Sequence, residues 1–313
     1  MKLKIFNKII IILFLKISIP VAQEITSPYI VVLGIAQDGG YPQAGCIKNC
    51  CARTWKEPER QRHVSCLVIV DPQSNQRWLI DATPDFKYQL HELDRIFPVD
   101  TSPGLDGIFI THGHIGHYSG LIHLGHEVIG THQIPLYVMP RMAEFIRKNA
   151  PWNLLVRLEN ICIEELTNMH TVQLNNRLSI QPIQVPHRGE YTETVGYKIE
   201  GTRRKILYLP DIDKWSHWDE SVEDYIQESD IAYLDATFFA DREIPGRNMA
   251  NIPHPFITES MNRFGNLPAG EKTKIRFIHF NHTNPVLNPE SNARQFVIKN
   301  GFRIAAEGEI EKL

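Results

Sequence analysis

The sequence predicts an α/β (α+β) protein: two β-sheets packed face to face, with helices on the outside. Three observations predict it. Short β-branched runs bounded by Gly, Pro or Asp recur along the chain, as strands do. Stretches with helical spacing interrupt them. A strand-rich region followed by helix occurs once in the first half and again in the second, the pattern of layered sheets rather than of a bundle. No internal repeat or low-complexity linker divides the 313 residues, so residues 23–313 read as one domain.

The predicted strands are Tyr29–Leu33, Val64–Val70, Trp78–Ile80 and Ile108–Ile110, then Leu178–Val185, Val195–Ile199, Lys205–Leu209, Ile231–Leu234 and Ile275–Phe280. Asp85–Phe97 has apolar residues at helical spacing, and helices are also predicted over Met139–Lys148, Pro255–Phe264 and Pro289–Asn300. Chemistry-bearing residues gather where strands end: His112 after Gly107–Thr111, Asp211 after Lys205–Pro210, and His279 after Lys274–Ile278. Loops held at strand ends by a rigid scaffold are where sites are usually built.

The N-terminus has a separate organisation. Residues 1–8 are basic, Ile9–Leu15 is continuously apolar, and Ser18, Pro20 and Ala22 follow, the layout of a signal peptide over residues 1–22 cleaved after Ala22. An uncleaved anchor is the alternative, although the apolar run is short of the roughly 20 residues of a membrane span. No cysteine follows the run, so a lipoprotein is not expected. The expectation is an exported protein, periplasmic or extracellular, with no stable membrane insertion after cleavage. Net charge is -3, and about -7 without Lys2, Lys4, Lys8 and Lys16, which argues against nucleic acid as a partner because phosphate binding needs a basic face. A small-molecule substrate is the expected partner, and the sequence leaves the oligomeric state open.

His112-Gly113-His114-Ile115-Gly116-His117 is the strongest chemical signal. Side chains at i and i+2 of an extended segment point the same way, so His112 and His114 can take adjacent corners of one coordination sphere, and the following turn brings His117 to a neighbouring position. Imidazole nitrogen suits zinc, iron or manganese. Three histidines in six residues are hard to read as core packing.

This segment, with Gly120 after it, resembles the His-x-His-x-Asp-His signature of the metallo-β-lactamase superfamily, except that Gly116 stands at the aspartate position. The resemblance continues through Val185-Pro186-His187, Thr194-Val195-Gly196-Tyr197, Tyr208-Leu209-Pro210-Asp211 and Phe277-Ile278-His279, in the family's order. It implies the αββα sandwich, with His112, His114 and His187 at one metal and His117, Asp211 and His279 at a second, Asp211 bridging. Such a pair generates hydroxide near neutral pH and polarises the scissile bond, and Asp211 would orient the nucleophile. Gly116 takes a carboxylate from the second position. The outcome is a mononuclear or asymmetric centre, or a replacement ligand, for which Asp38 and His254 are the candidates. Their ordinary reading, as a turn residue and a helix-start residue, is the one the sequence favours.

Asp38-Gly39-Gly40-Tyr41-Pro42-Gln43, Leu79–Phe86 and Phe277–Pro285 are similar to pyrroloquinoline quinone biosynthesis protein B. In a related branch, that of the cyclic phosphodiesterase of phosphonate breakdown, a Cys-x-Cys-x-x-Cys loop and a histidine three residues past the terminal ligand hold a structural zinc. Here the cysteines are Cys46, Cys50 and Cys51, at different spacing, and His282 lies three residues past His279. Three thiolates and an imidazole make a closed tetrahedral zinc site; a disulfide from Cys46 to Cys50 or Cys51 is the alternative that export favours. Cys66 and Cys162 read as buried thiols.

Lesser signals are Asp81 and Asp235 as carboxylates supporting metal-bound histidines, Arg188 and Tyr191 as substrate contacts, and His123, His126 and His132 as a partly exposed face. Three functions follow. The first is a zinc-dependent hydrolase of a phosphodiester, ester or lactone, with iron or manganese as alternative metals. The second is a role like that of the quinone-biosynthesis protein, in redox chemistry or carriage. The third is a degenerate, non-catalytic binding module.

Overall fold

The computed structural model describes residues 26–313, and the leader expected over residues 1–22 lies outside the described residues. In order, the strands are β1 (Tyr29–Gly34), β2 (Cys66–Asp71), β3 (Gln76–Ile80), β4 (Gly107–Phe109), β5 (Ile134–Val138), β6 (Ile161–Glu165), β7 (Val172–Gln173), β8 (Ser179–Gln184), β9 (Val195–Glu200), β10 (Lys205–Leu209), β11 (Ile231–Asp235), β12 (Ile275–Ile278), β13 (Arg303–Ile304) and β14 (Ile310–Lys312). They form two seven-stranded sheets, ordered β14-β1-β2-β3-β4-β5-β6 and β13-β12-β11-β10-β9-β8-β7.

Each sheet repeats one scheme. Antiparallel hairpins join β1, β2 and β3 in the first sheet and β7 to β10 in the second; parallel strands then continue through β4, β5 and β6, and through β11, β12 and β13. Parallel neighbours need a crossover, which is supplied by helices such as Phe86–Ile96 between β3 and β4, and Ile257–Arg263 between β11 and β12. The chain end returns to the first sheet, where β14 pairs antiparallel with β1.

Alternation along the strands fills two layers. Ile30, Val32, Leu67, Ile69, Trp78, Ile80 and Phe109 point between the sheets, against Ile180, Tyr197, Ile199, Ile206 and Tyr208. Val31, Val68, Leu79 and Ile108 point the other way, onto Phe86, Leu93, Met142, Ile146 and Leu155 of the outer helices. Burial on both faces is why these strands read as continuous apolar runs.

Most expected elements occur within a residue or two of their predicted bounds. The last predicted strand stops at Ile278 rather than Phe280, because His279 adopts a left-handed backbone (φ 66°) that turns it out of the sheet. The β5 and β6 strands went unpredicted: Pro135 interrupts one, and Glu164 and Glu165 end the other, which forms the sheet edge. Cys66 is buried as expected, but Cys162 on β6 is only half-buried. None of the described helices is long and apolar enough to cross a membrane.

Candidate metal centre

The expected site residues converge at one rim, each in the segment that follows a strand: Asp38 past β1, Asp81 after β3, His112 to His117 after β4, His187 after β8, Asp211 after β10, and His279 after β12. The loop after β4 is fixed at its root, where the Tyr197 hydroxyl donates to Ile110 O at 2.7 Å and Thr111 N donates to Asp81 Oδ1 at 2.8 Å. A short helix at Ile115–Tyr118 then turns His117 back inward, where it is fully buried.

Asp211 is the hub. Its Oδ2 lies 3.3 Å from His112 Nε2, 3.2 Å from His117 Nε2 and 3.5 Å from His279 Nε2, and its Oδ1 lies 3.4 Å from His187 Nε2. His112 Nε2 and His114 Nδ1 approach to 2.8 Å. Three candidate ligand groups share this rim: His112, His114, His187 and Asp211; Asp38, His117 and His279; and Asp211, Asp235 and His254.

Most of the opposite ring nitrogens are held. His117 Nδ1 donates to Asp81 Oδ2 at 2.7 Å, His187 Nδ1 to Asp213 Oδ1 at 3.0 Å, His112 Nδ1 to Thr111 Oγ1 at 3.0 Å and His279 Nδ1 to Thr237 Oγ1 at 3.0 Å. Thr237 donates onward to Asp235 Oδ1 at 2.7 Å. Pinning one nitrogen fixes the tautomer and leaves the other as a lone-pair donor, the outer arrangement typical of metal-bound imidazole.

The donors fit a cation on a direct observation. Asp38 Oδ1, His117 Nε2, His187 Nε2, Asp211 Oδ1 and His279 Nε2 are buried and accept or donate no hydrogen bond. Each such atom costs about 1–3 kcal/mol when left without a partner. Five aimed into one region make a candidate donor set for a cation, with the nitrogen and oxygen that suit zinc, iron or manganese. Burial opposes ionisation of Asp211, yet the surrounding His279, His187 and His254 hold its carboxyl well below the usual range.

Both candidate replacement ligands reach the cluster. His254 joins the cluster, but its Nδ1 faces carboxylates, 2.7 Å from Asp235 Oδ2 and 3.2 Å from Asp211 Oδ1. Burial opposes its charge, but Asp235 and Asp211 prevail and lift its pKa to about 9. Asp38 departs from the ordinary turn reading: its Oδ1 lies 3.4 Å from His117 Nε2, inside the second group.

The cysteine cluster also assembles. Cys51 Sγ and Cys50 Sγ lie 3.3 and 3.6 Å from His282 Nδ1, and Cys46 Sγ lies 3.7 Å from Cys50 Sγ. All five cysteines are free in this structure, and Cys46, Cys50, Cys51 and His282 lie close enough together to form a candidate metal group.

Of the lesser signals, Asp81 and Asp235 support histidines as expected. Arg188 stays at the rim, 3.5 Å from Glu190, whose other oxygen is 3.3 Å from His114 Nε2. Tyr191 is exposed, His123 stacks on Phe86 and His126 faces Glu127. Sequence reasoning passed over Asp213, Thr111 and Thr237. Asp213 had a readable signal, since it stands two residues past Asp211; the threonines had none.

Comparison with known proteins accords with this geometry. A family model described as Beta-lactamase superfamily domain matches residues 76–280, well over half the chain. The chain belongs to that family. It is 26% identical over 311 residues to Coenzyme PQQ synthesis protein B of Methylorubrum extorquens (strain PA1), covering 90% of this chain and 98% of that protein. Among solved structures it is similar to Zn(2+)-bound PqqB from Methylobacterium extorquens, with TM-score 0.77 and 23% identity over 91% of this chain and all of that one. A diphosphatase from the PhnP family follows, with TM-score 0.64 and 22% identity over 91% of this chain and 97% of that one. At these identities the structural likenesses establish the shared fold.

Proposed function

We propose that this protein is a metal-dependent hydrolase that cleaves a phosphodiester, ester or lactone in a small molecule. The observation that carries the reading is the ring of buried, unpartnered nitrogen and oxygen atoms around Asp211. His112, His114 and His187 would hold one ion, and His117 and His279 a second, with Asp211 between them. Zinc is the proposed ion, in line with the zinc-bound relative. When bound, such a pair acidifies water towards neutral pH and polarises the bond to be broken. The chain's own residues do the rest. Asp211 orients the nucleophile, Asp81, Asp213, Thr111 and Thr237 keep the imidazoles aimed, and the partly exposed His114 and Glu190 mark the side from which substrate enters. Arg188 at that rim offers a cation to an anionic substrate.

The test is a panel of chromogenic phosphodiesters, esters and lactones, with metal content measured on the same preparation and His114→Ala as control. Turnover that falls by at least about 100-fold in the variant is expected, since a direct ligand is worth more than the supporting contacts that cost 10–100-fold. A second reading, a part in quinone-cofactor synthesis like that named for the relatives, is favoured by the match over 98% of one such protein's length. A single redox-active iron with no hydrolysis of any substrate would transfer support to it.

A further inference from the structure

We propose that Asp38 is the carboxylate ligand of the second metal position, so that a residue of the first loop does what position 116 does in the His-x-His-x-Asp-His pattern. The proposal rests on the two-metal reading above and completes its weaker half.

Gly116 provides the steric reason. A Cβ placed on it would lie 2.2 Å from Asp38 Oδ1 and 2.6 Å from Asp38 Cα, so no side chain of any kind fits at 116 while Asp38 is where it is. Gly116 sits in the helical turn Ile115–Tyr118 and is not among the glycines with positive φ, so glycine is needed there for space and not for backbone conformation. Absence of a carboxylate at 116 and presence of one at 38 are therefore a single arrangement: the Asp38 oxygen enters the volume that a side chain at 116 would fill.

Bonding supplies an independent reason. An aspartate in a surface turn ordinarily accepts an N–H of its own turn. Asp38 does not. Its Oδ1 is buried without a hydrogen bond, directed at His117 Nε2, which is itself unpartnered while Asp81 holds the Nδ1 of that ring. His279 Nε2, the third member, is also buried and unpartnered, with Thr237 on its Nδ1. Three donors with free lone pairs, two imidazoles and a carboxylate, meet within ligand distance of one another. With the shared Asp211 they make the four ligands a divalent ion takes.

The loop is built to hold this position. Gln37 N donates to Phe280 O at 2.9 Å, the residue after His279, and Asn281 Nδ2 donates to Gln37 Oε1 at 2.6 Å. Gly40, with φ +67°, closes the turn by donating to Gln37 O at 2.7 Å. The segment carrying Asp38 is thus laced to the segment carrying His279.

The experiment is titration of the full-length, metal-stripped chain with Co²⁺, counting bound ions by mass spectrometry and separating the cysteine cluster by its thiolate-to-cobalt absorbance. Asp38→Ala should lose one ion from the nitrogen and oxygen sites, its affinity falling by at least about 100-fold. Asp38→Asn, which keeps volume and shape, carries the test should the alanine variant fail to fold. Gly116→Asp alone should also lose that ion, because two carboxylates then compete for one volume. Gly116→Asp combined with Asp38→Gly should recover it to within about 10-fold of the parent. Parental affinity in Asp38→Asn, or a paired exchange that does not recover what Asp38→Gly loses, overturns the assignment. Because the readout is ion count, absence of hydrolysis across the substrate panel would sink the hydrolase reading and leave this one standing.

Discussion

Asp81 and His279 both hold left-handed backbones, at φ 68° and 66°, uncommon for residues with a Cβ and concentrated where geometry is dictated by function. They also belong to matching arrangements. Asp81 and Thr111 support His117 and His112, while Asp235 and Thr237 support His254 and His279, so each sheet contributes one threonine–aspartate pair to the rim. Asp81→Asn isolates the carboxylate's role, because asparagine tolerates the same φ. We expect second-site metal affinity to drop by about 10–100-fold with the fold intact, read by competition against a chromophoric chelator. Unchanged affinity would reduce Asp81 to a turn residue. The histidines themselves were legible, since their types and spacing already specify a ligand set. Thr111 and Thr237 were not, because a threonine at a strand end looks the same whether it faces solvent or an imidazole.

At the scale of elements, the loop from Asp38 to Cys51 ties two centres together. One end carries Asp38; the other carries Cys46, Cys50 and Cys51, which meet His282 three residues past His279. Zinc at the cysteine cluster would close this loop onto the last site segment. Cys50→Ser should therefore lower the zinc count by one per chain and also weaken the Asp38-dependent site, by about 10-fold. Metal analysis that shows no drop in zinc removes the structural-zinc role; a drop with no effect on the second site removes the coupling. The strands that form the core were readable because burial on both faces writes long apolar runs. The short strands β5, β6, β7, β13 and β14 were missed, since a strand of two to five residues leaves too little pattern to separate from loop.

Over the whole molecule, the centre bridges the two sheets. His112, His114 and His117 come from the end of the first sheet, and His187, Asp211 and His279 from the second. Ions held between them would bind the folded state only, so chelation should lower the melting temperature. At free metal a thousandfold above Kd, one site is worth about 4 kcal/mol, on the order of 10 °C for a domain of this size. A melting curve unmoved by EDTA, in protein shown by mass spectrometry to have lost its ions, would mean that the two sheets cohere without them. Sequence alone determined the fold class, the family and most of the candidate ligand set, because hydrophobic period and the type and order of His and Asp are local properties of the chain. That Asp38 meets His117 and His279, that His254 packs beside Asp235, and that a Cβ at position 116 would collide with Asp38 were decided by tertiary structure. Asp38 and position 116 are 78 residues apart, and only the packing of the β1 loop against the helical turn after β4 makes the one exclude a side chain at the other.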